Sequence, residues 1–147
     1  MGILGDYMKQ VNQIGIVVRN LDETARAMEC FFGIKLYIIS MPEAEAELRG
    51  RTVRFATKIG LARVGNVDLE FMEVVSGEHA SKEFLDKHGP GINHLGIYVD
   101  DLDAALKAWT DSGGKLIQRT RHPSGIGTAF LDTEKELGNV YIELVKL

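Results

Sequence analysis

Apolar and polar residues recur along this chain in two registers, a strand register and a helix register, and their order is repeated. Residues 13–18, Q-I-G-I-V-V, form a β-branched run ending at Arg19-Asn20, which predicts a strand. Leu21, Ala25, Met28 and Phe32 then recur at helical spacing and predict one apolar stripe. Asn20 stands at the N-cap with Glu23 three residues on, and Gly33 stands at the C-terminal cap. Further strands are expected at residues 35–40, 52–64 and 66–75, the last two joined around Gly65. The acidic stretch 42–50 reads as a loop, with a short helix over Ala44–Leu48 as the alternative. A short helix at 81–88, with Phe84 and Leu85 facing inward, is closed by Gly89-Pro90-Gly91. A strand at 94–99 follows, and then a helix capped by Asp101 with the stripe Leu102, Ala105, Leu106 and Trp109. Gly113-Gly114 ends that helix, and strands are expected at 115–119, Gly127–Leu131 and 140–145.

The order repeats because the sequence repeats. Residues 11–22, V-N-Q-I-G-I-V-V-R-N-L-D, match residues 92–103, I-N-H-L-G-I-Y-V-D-D-L-D. A second echo closes each copy, G-N-V-D-L-E at 65–70 and G-N-V-Y-I-E at 138–143. The expected organisation is an N-terminal extension (1–10), a first βαβββ module (11–75), a connector with a short helix (76–91) and a second βαβββ module (92–147). A four-stranded sheet with one helix leaves a whole apolar face uncovered, so the modules must pair. The expected fold is α+β: two tandem βαβββ modules forming one curved eight-stranded mixed sheet, with helices outside and a metal-binding cleft inside.

Composition narrows the function. The formal net charge is −4 with no basic run, which argues against nucleic acid as a partner. No apolar stretch approaches the roughly 20 residues that span a bilayer, so no membrane partner is expected. Residues 1–10 lack the apolar core of a signal peptide, and the single cysteine, Cys30, fits a reducing compartment, so the cytoplasm is expected. Cys30 lies in a helical pattern beside Phe31 and Phe32 and reads as a small core residue. Arg49, Arg51, Arg54, Lys58 and Arg63 gather in one region, as a solvated strand face or as a surface for an anionic small molecule.

Candidate chemistry sits on the repeat. Side chains alternate faces along a strand, so Gln13, Gly15 and Val17 share one face and His94, Gly96 and Tyr98 share its counterpart. Glu70 lies with Asp68 and Met72, and Glu143 with Tyr141 and Val145. Four polar residues thus interrupt strands that otherwise look buried, where an unpaired charge costs several kcal/mol. A pseudo-two-fold axis would gather Gln13, Glu70, His94 and Glu143 at one point, with Gly15 and Gly96 leaving room above it for a substrate. One imidazole, two carboxylates and an amide oxygen suit a divalent ion such as Zn, Ni, Co, Mn or Fe(II). The competing reading has Gln13 and His94 hydrogen-bonded in a polar core while the glutamates face solvent. His79 and His88 are expected at the surface, His122 in a glycine-bearing loop that is an ordinary turn or folds over a ligand, and Tyr98, Tyr141 and Met72 as cleft lining or filler.

The paired modules, the segment N-H-L-G-I-Y-V-D-D-L-D-A-A-L and the terminal G-N-V-Y-I-E-L together resemble the vicinal oxygen chelate superfamily of glyoxalases, bleomycin-resistance proteins and extradiol dioxygenases. Within it, residues 69–96 look most like methylmalonyl-CoA epimerase. The resemblance implies one divalent metal ion held by Gln13, Glu70, His94 and Glu143, with Glu143 and Glu70 as proton carriers, and a small carbonyl or thioester substrate. It implies an epimerase or isomerase, and a homodimer. Gln13 departs from the histidine usual in epimerases, and the set Gln, Glu, His, Glu is similar to that of some glyoxalase I lyases. A dioxygenase and a non-catalytic binding module of the same fold are the remaining readings. The region 43–58 departs from the epimerase pattern, so the resemblance places no second, non-ligand base; Glu43, Glu45 and Glu47 are only nearby carboxylates.

Overall fold

A computed structural model describes residues 2–147. The elements run β1 (Gln13–Val17), α1 (Leu21–Phe32), β2 (Tyr37–Ser40), β3 (Ala44–Leu48), β4 (Arg51–Val64), β5 (Val67–Gly77), α2 (Ala80–His88), β6 (Gly91–Tyr98), α3 (Leu102–Asp111), β7 (Leu116–Arg121), β8 (Gly127–Leu131) and β9 (Tyr141–Lys146). The sheet order is β2-β4-β3-β7-β8-β9-β6-β1-β5, and β5 also pairs with β4, which closes eight strands into a ring. The fold is therefore the curved α+β sheet of mixed strand direction expected from the repeat.

The one element misread is 42–50. Ala44–Leu48 is a strand rather than a loop or helix, with a strictly alternating burial pattern. Arg49 (φ 49°) and Gly50 (φ 80°) form the two-residue turn into β4, both in the left-handed region that such hairpins require. β2 and β3 both pair antiparallel with β4, at Lys58–Leu61 and Arg51–Phe55 respectively. They are in effect one strand interrupted at Pro42, which has no N–H to give to the ladder.

Both seams between the repeats close within one chain. β1 pairs antiparallel with β6, and β3 pairs antiparallel with β7. The helices cover the outer surface as each stripe dictates. Asn20 caps α1 by accepting from Glu23 N at 3.1 Å, and Leu21 anchors a cluster with Leu36, Ala62 and Phe71. Phe32 lies beyond that cluster and is exposed, as is Cys30, so neither is the core residue that spacing suggested. Leu102, Ala105 and Leu106 of α3 pack on Ile97, Ala129, Ile142 and Leu144, and Leu4, Tyr7 and Val11 lie against the same cluster. Inside the ring, Phe84 and Leu85 of α2 join Leu48, Phe55, Ile117, Phe130 and Tyr141 in one cluster.

Candidate metal centre

Strand register dictates which residues meet inside the ring. Across β5, β1, β6 and β9 one row reads Asp68, Gln13, Gly96, Glu143, and the next reads Glu70, Gly15, His94, Tyr141. Each glycine stands between two of the four candidate ligands. A Cβ on Gly15 would lie 1.9 Å from Cε1 of His94, and one on Gly96 would lie 2.8 Å from Oε1 of Gln13. The glycines therefore clear space for the side chains of the opposing strand; the room expected above them for a substrate is taken by those ligands.

A bulge in β6 sets His94. Gly15 pairs with His94 but Ile16 pairs with Ile92, so Asn93 is the extra residue, and both Asn93 and His94 are buried. Asn93 gives its amide N–H to Ser81 Oγ at 3.0 Å and turns Oδ1 to Nδ1 of His94 at 2.8 Å. Nδ1 is then the donor, and Nε2 presents its lone pair. That lone pair faces Glu143 Oε2 at 2.9 Å and Glu70 Oε1 at 3.6 Å. Glu143 is close but misaligned and Glu70 is too far for a hydrogen bond, so among the described residues Nε2 is a fully buried nitrogen without a hydrogen-bond partner. Ligand atoms of Glu70, His94 and Glu143 all lie within 4.8 Å of one another. Three acceptors converging at a buried point repel one another unless a proton or a metal cation joins them, so these residues fit a metal ion.

The electrostatics report the same crowding. Burial first, and then the charge of Glu143, pushes Glu70 up to about 7, while His94 pulls the other way. Burial opposes a charged His94, but Glu143 and then Glu70 outweigh it, so that group is raised. Gln13 is buried on the same wall, its Nε2 donating to Tyr98 OH at 3.3 Å. Tyr98 OH in turn lies 3.5 Å from Asp68 Oδ2, and Asp68 is paired with Arg63 at 2.6 Å.

A cavity of about 250 Å³ opens beside this cluster. Gln13, Glu70 and Glu143 line it with Tyr98 and Met72, as expected, but Tyr141 does not; its hydroxyl donates to Glu134 at 2.7 Å. Two further histidines also line it. His79 is buried rather than at the surface, and His122 faces the cavity from its turn. His88 is exposed, as expected. The basic residues are each matched to a carboxylate: Arg49 to Glu83, Arg51 to Glu78, Arg54 to Glu43 and Glu45, Lys58 to Asp22, and Arg63 to Asp68. Glu43, Glu45 and Glu47 point outward and are exposed, so none reaches the cavity.

Solved structures share this fold. A variant of Streptomyces coelicolor methylmalonyl-CoA epimerase in complex with 2-nitronate-propionyl-CoA is 23% identical, with a TM-score of 0.66 and 93% of each chain covered. Methylmalonyl-CoA epimerase from Mycobacterium tuberculosis is 26% identical, with a TM-score of 0.64, covering 92% of this chain and 85% of its own. In sequence, the uncharacterized protein YqjC of Bacillus subtilis (strain 168) is 27% identical over 141 residues, 93% of this chain and 91% of that one. The family model described as the Glyoxalase/Bleomycin resistance protein/Dioxygenase superfamily matches residues 12–131. With the repeated modules, the closed sheet and the buried Glu70–His94–Glu143 cluster, the chain belongs to that superfamily.

Proposed function

We propose that this protein is a divalent-metal-dependent epimerase or isomerase that removes and returns a proton next to a chelated carbonyl, in the manner of a methylmalonyl-CoA epimerase. The observation that carries the reading is the buried, unpartnered Nε2 of His94 facing two carboxylates. Gln13, Glu70, His94 and Glu143 would hold the ion, for which mixed nitrogen and oxygen donors suit Zn, Ni, Co or Mn. A bound divalent ion supplies Lewis-acid polarisation of the carbonyl, which acidifies the neighbouring C–H.

The proton itself is carried by this chain's side chains. Glu70 comes from the first repeat and Glu143 from the second, and both face the cavity. One carboxylate takes the α-proton as the C–H electron pair passes into the adjacent carbonyl, and return of a proton to the other face of that carbon inverts it. Since Glu43, Glu45 and Glu47 are turned to solvent, the acid–base work falls to Glu70 and Glu143. Phe55, Ile59, Leu61 and Met72 line the cavity and keep the reacting carbon away from water.

A lactoylglutathione lyase of the glyoxalase I type is the second reading. It is favoured by Gln13 in place of histidine, and it uses the same proton transfer. A non-catalytic binding module is disfavoured by two carboxylates buried at the cavity floor. The test is α-deuteration in D2O, followed by NMR, with metal-loaded protein and either methylmalonyl-CoA or the glutathione hemithioacetal of methylglyoxal. Exchange with one substrate is expected, slowed about 100-fold or more by Glu143→Gln. Exchange in that variant at the wild-type rate sinks the role of Glu143.

A further inference from the structure

His79 is spent on more than its place in the fold requires. It is the N-cap of α2, where Nδ1 accepts from Ser81 N at 3.0 Å. An N-cap needs only a short polar side chain, and serine, asparagine or aspartate serve it best. The imidazole instead extends into the ring, edge-on to Phe55 at 4.6 Å and to Phe130 at 5.7 Å. Phe130 also backs His94, at 5.3 Å, so the two imidazoles share one wall. Because Nδ1 is the acceptor, the ring proton sits on Nε2. Among the described residues that N–H has no hydrogen-bond partner, and unlike Nε2 of His94 it is not sealed from solvent; the cavity that His79 lines is the space it opens on.

We infer that His79 is a substrate-contacting donor whose Nε2–H binds a planar oxyanion, a carboxylate or enolate oxygen, on the reacting portion of the substrate. This rests on the metal-dependent reading above. Burial drives the basicity of His79 down to about 3, so the donor stays neutral at working pH. It therefore orients and stabilises negative charge without exchanging a proton, which keeps it distinct from the two glutamates.

The probe is oxalate, a planar dianion with oxygens left over once two are engaged. It is titrated into Co(II)-loaded protein and followed by the cobalt visible spectrum. His79→Asn retains an oxygen for Ser81 N but cannot reach the cavity; His79→Phe fills the space without a donor; His79→Gln restores reach. A hydrogen bond to a charged group corresponds to roughly a 10–100-fold change in affinity. The expected result is cooperative melting and Co(II) retention in His79→Asn, about 10-fold weaker oxalate binding in the Asn and Phe variants, and recovery in Gln. Oxalate affinity unchanged in both Asn and Phe variants, with Co(II) retained, overturns the role of His79 alone. Failure of the wild-type protein to hold Co(II) overturns the metal reading, and this inference with it.

Discussion

Gly15→Ala should remove a metal ligand without touching one. The added Cβ would stand 1.9 Å from Cε1 of His94, where carbon atoms require about 3.5 Å, a shortfall of roughly 1.6 Å. The ring cannot recede, because Asn93 holds Nδ1 at 2.8 Å and Phe130 closes the far side at 5.3 Å. Metal–ligand distances tolerate only about 0.2 Å, so the imidazole leaves the ligand set. Disturbing a group that merely orients a ligand costs about 10–100-fold in affinity, and displacing the ligand itself should cost at least the upper figure. Overpacking should also destabilise the apo-protein by about 1–3 kcal/mol, roughly 2–12 °C in Tm for a chain of this size. Calorimetric titration of apo-protein with Co(II) or Zn(II) reads the first quantity, and thermal melts read the second. Gly60→Ala is the control: its Cβ meets Leu21 and Leu36 at 3.0 Å, on the α1 side of the sheet, so stability should fall while metal affinity holds. Wild-type metal affinity in Gly15→Ala would refute the reasoning. A raised KM with the metal retained would mean that Gly15 makes room for substrate after all.

Other outcomes follow from the same geometry. Glu70 and His94 hold protons in the folded apo-protein that the unfolded chain releases, so apo stability should fall as pH rises from about 4.5 to 7 through Glu70, and from about 6.5 upward through His94. Denaturant titrations should show a loss on the order of 1–3 kcal/mol between pH 6 and 8, absent with saturating metal; a flat apo profile would contradict it. On the acid side, His79 is neutral when folded down to about 3 while the unfolded chain protonates near 6.5, so its contribution is lost as pH falls through that window, and His79→Asn should lessen the loss. Phe130→Ala removes the wall behind both imidazoles and should cost about 3–5 kcal/mol by chemical denaturation, with weakened metal binding. His94→Ala should abolish the rise in Tm produced by divalent ions; a wild-type rise in that variant would move the metal elsewhere.

Much of this was legible because the chain states its fold twice. Strand alternation alone sorts Gln13, Glu70, His94 and Glu143 onto inward faces, and the repeat brings them to one place. The errors have physical causes. In Ala44–Leu48 the alanines and glutamates are good helix formers, but their strict alternation matches a period of two, and pairing with β4 decides the outcome. The left-handed turn at Arg49-Gly50 was the available signal. Phe32 continues the α1 stripe on paper, yet α1 runs past the sheet that would have covered it. Gly15 and Gly96 were recognised as space, but which atoms fill that space depends on cross-strand register, which one sequence does not reveal. His79 was read as surface because polar neighbours surround it in sequence; its burial follows from α2 packing into the ring.

The ring closes through two seams inside one chain, and the four proposed metal ligands lie on β1, β5, β6 and β9. A growing chain therefore carries Gln13, Glu70 and His94 long before it carries Glu143. Opening the β1–β6 seam parts Gln13 and Glu70 from His94 and Glu143, whereas opening the β3–β7 seam leaves all four on adjacent strands. Metal should thus bind late, after the final strand docks, and its binding energy should stabilise the whole domain rather than one part of it. Hydrogen exchange in apo- and metal-loaded protein would show this as protection spread over both repeats. The ion would act as a seal on a finished barrel, not as a nucleus around which one forms.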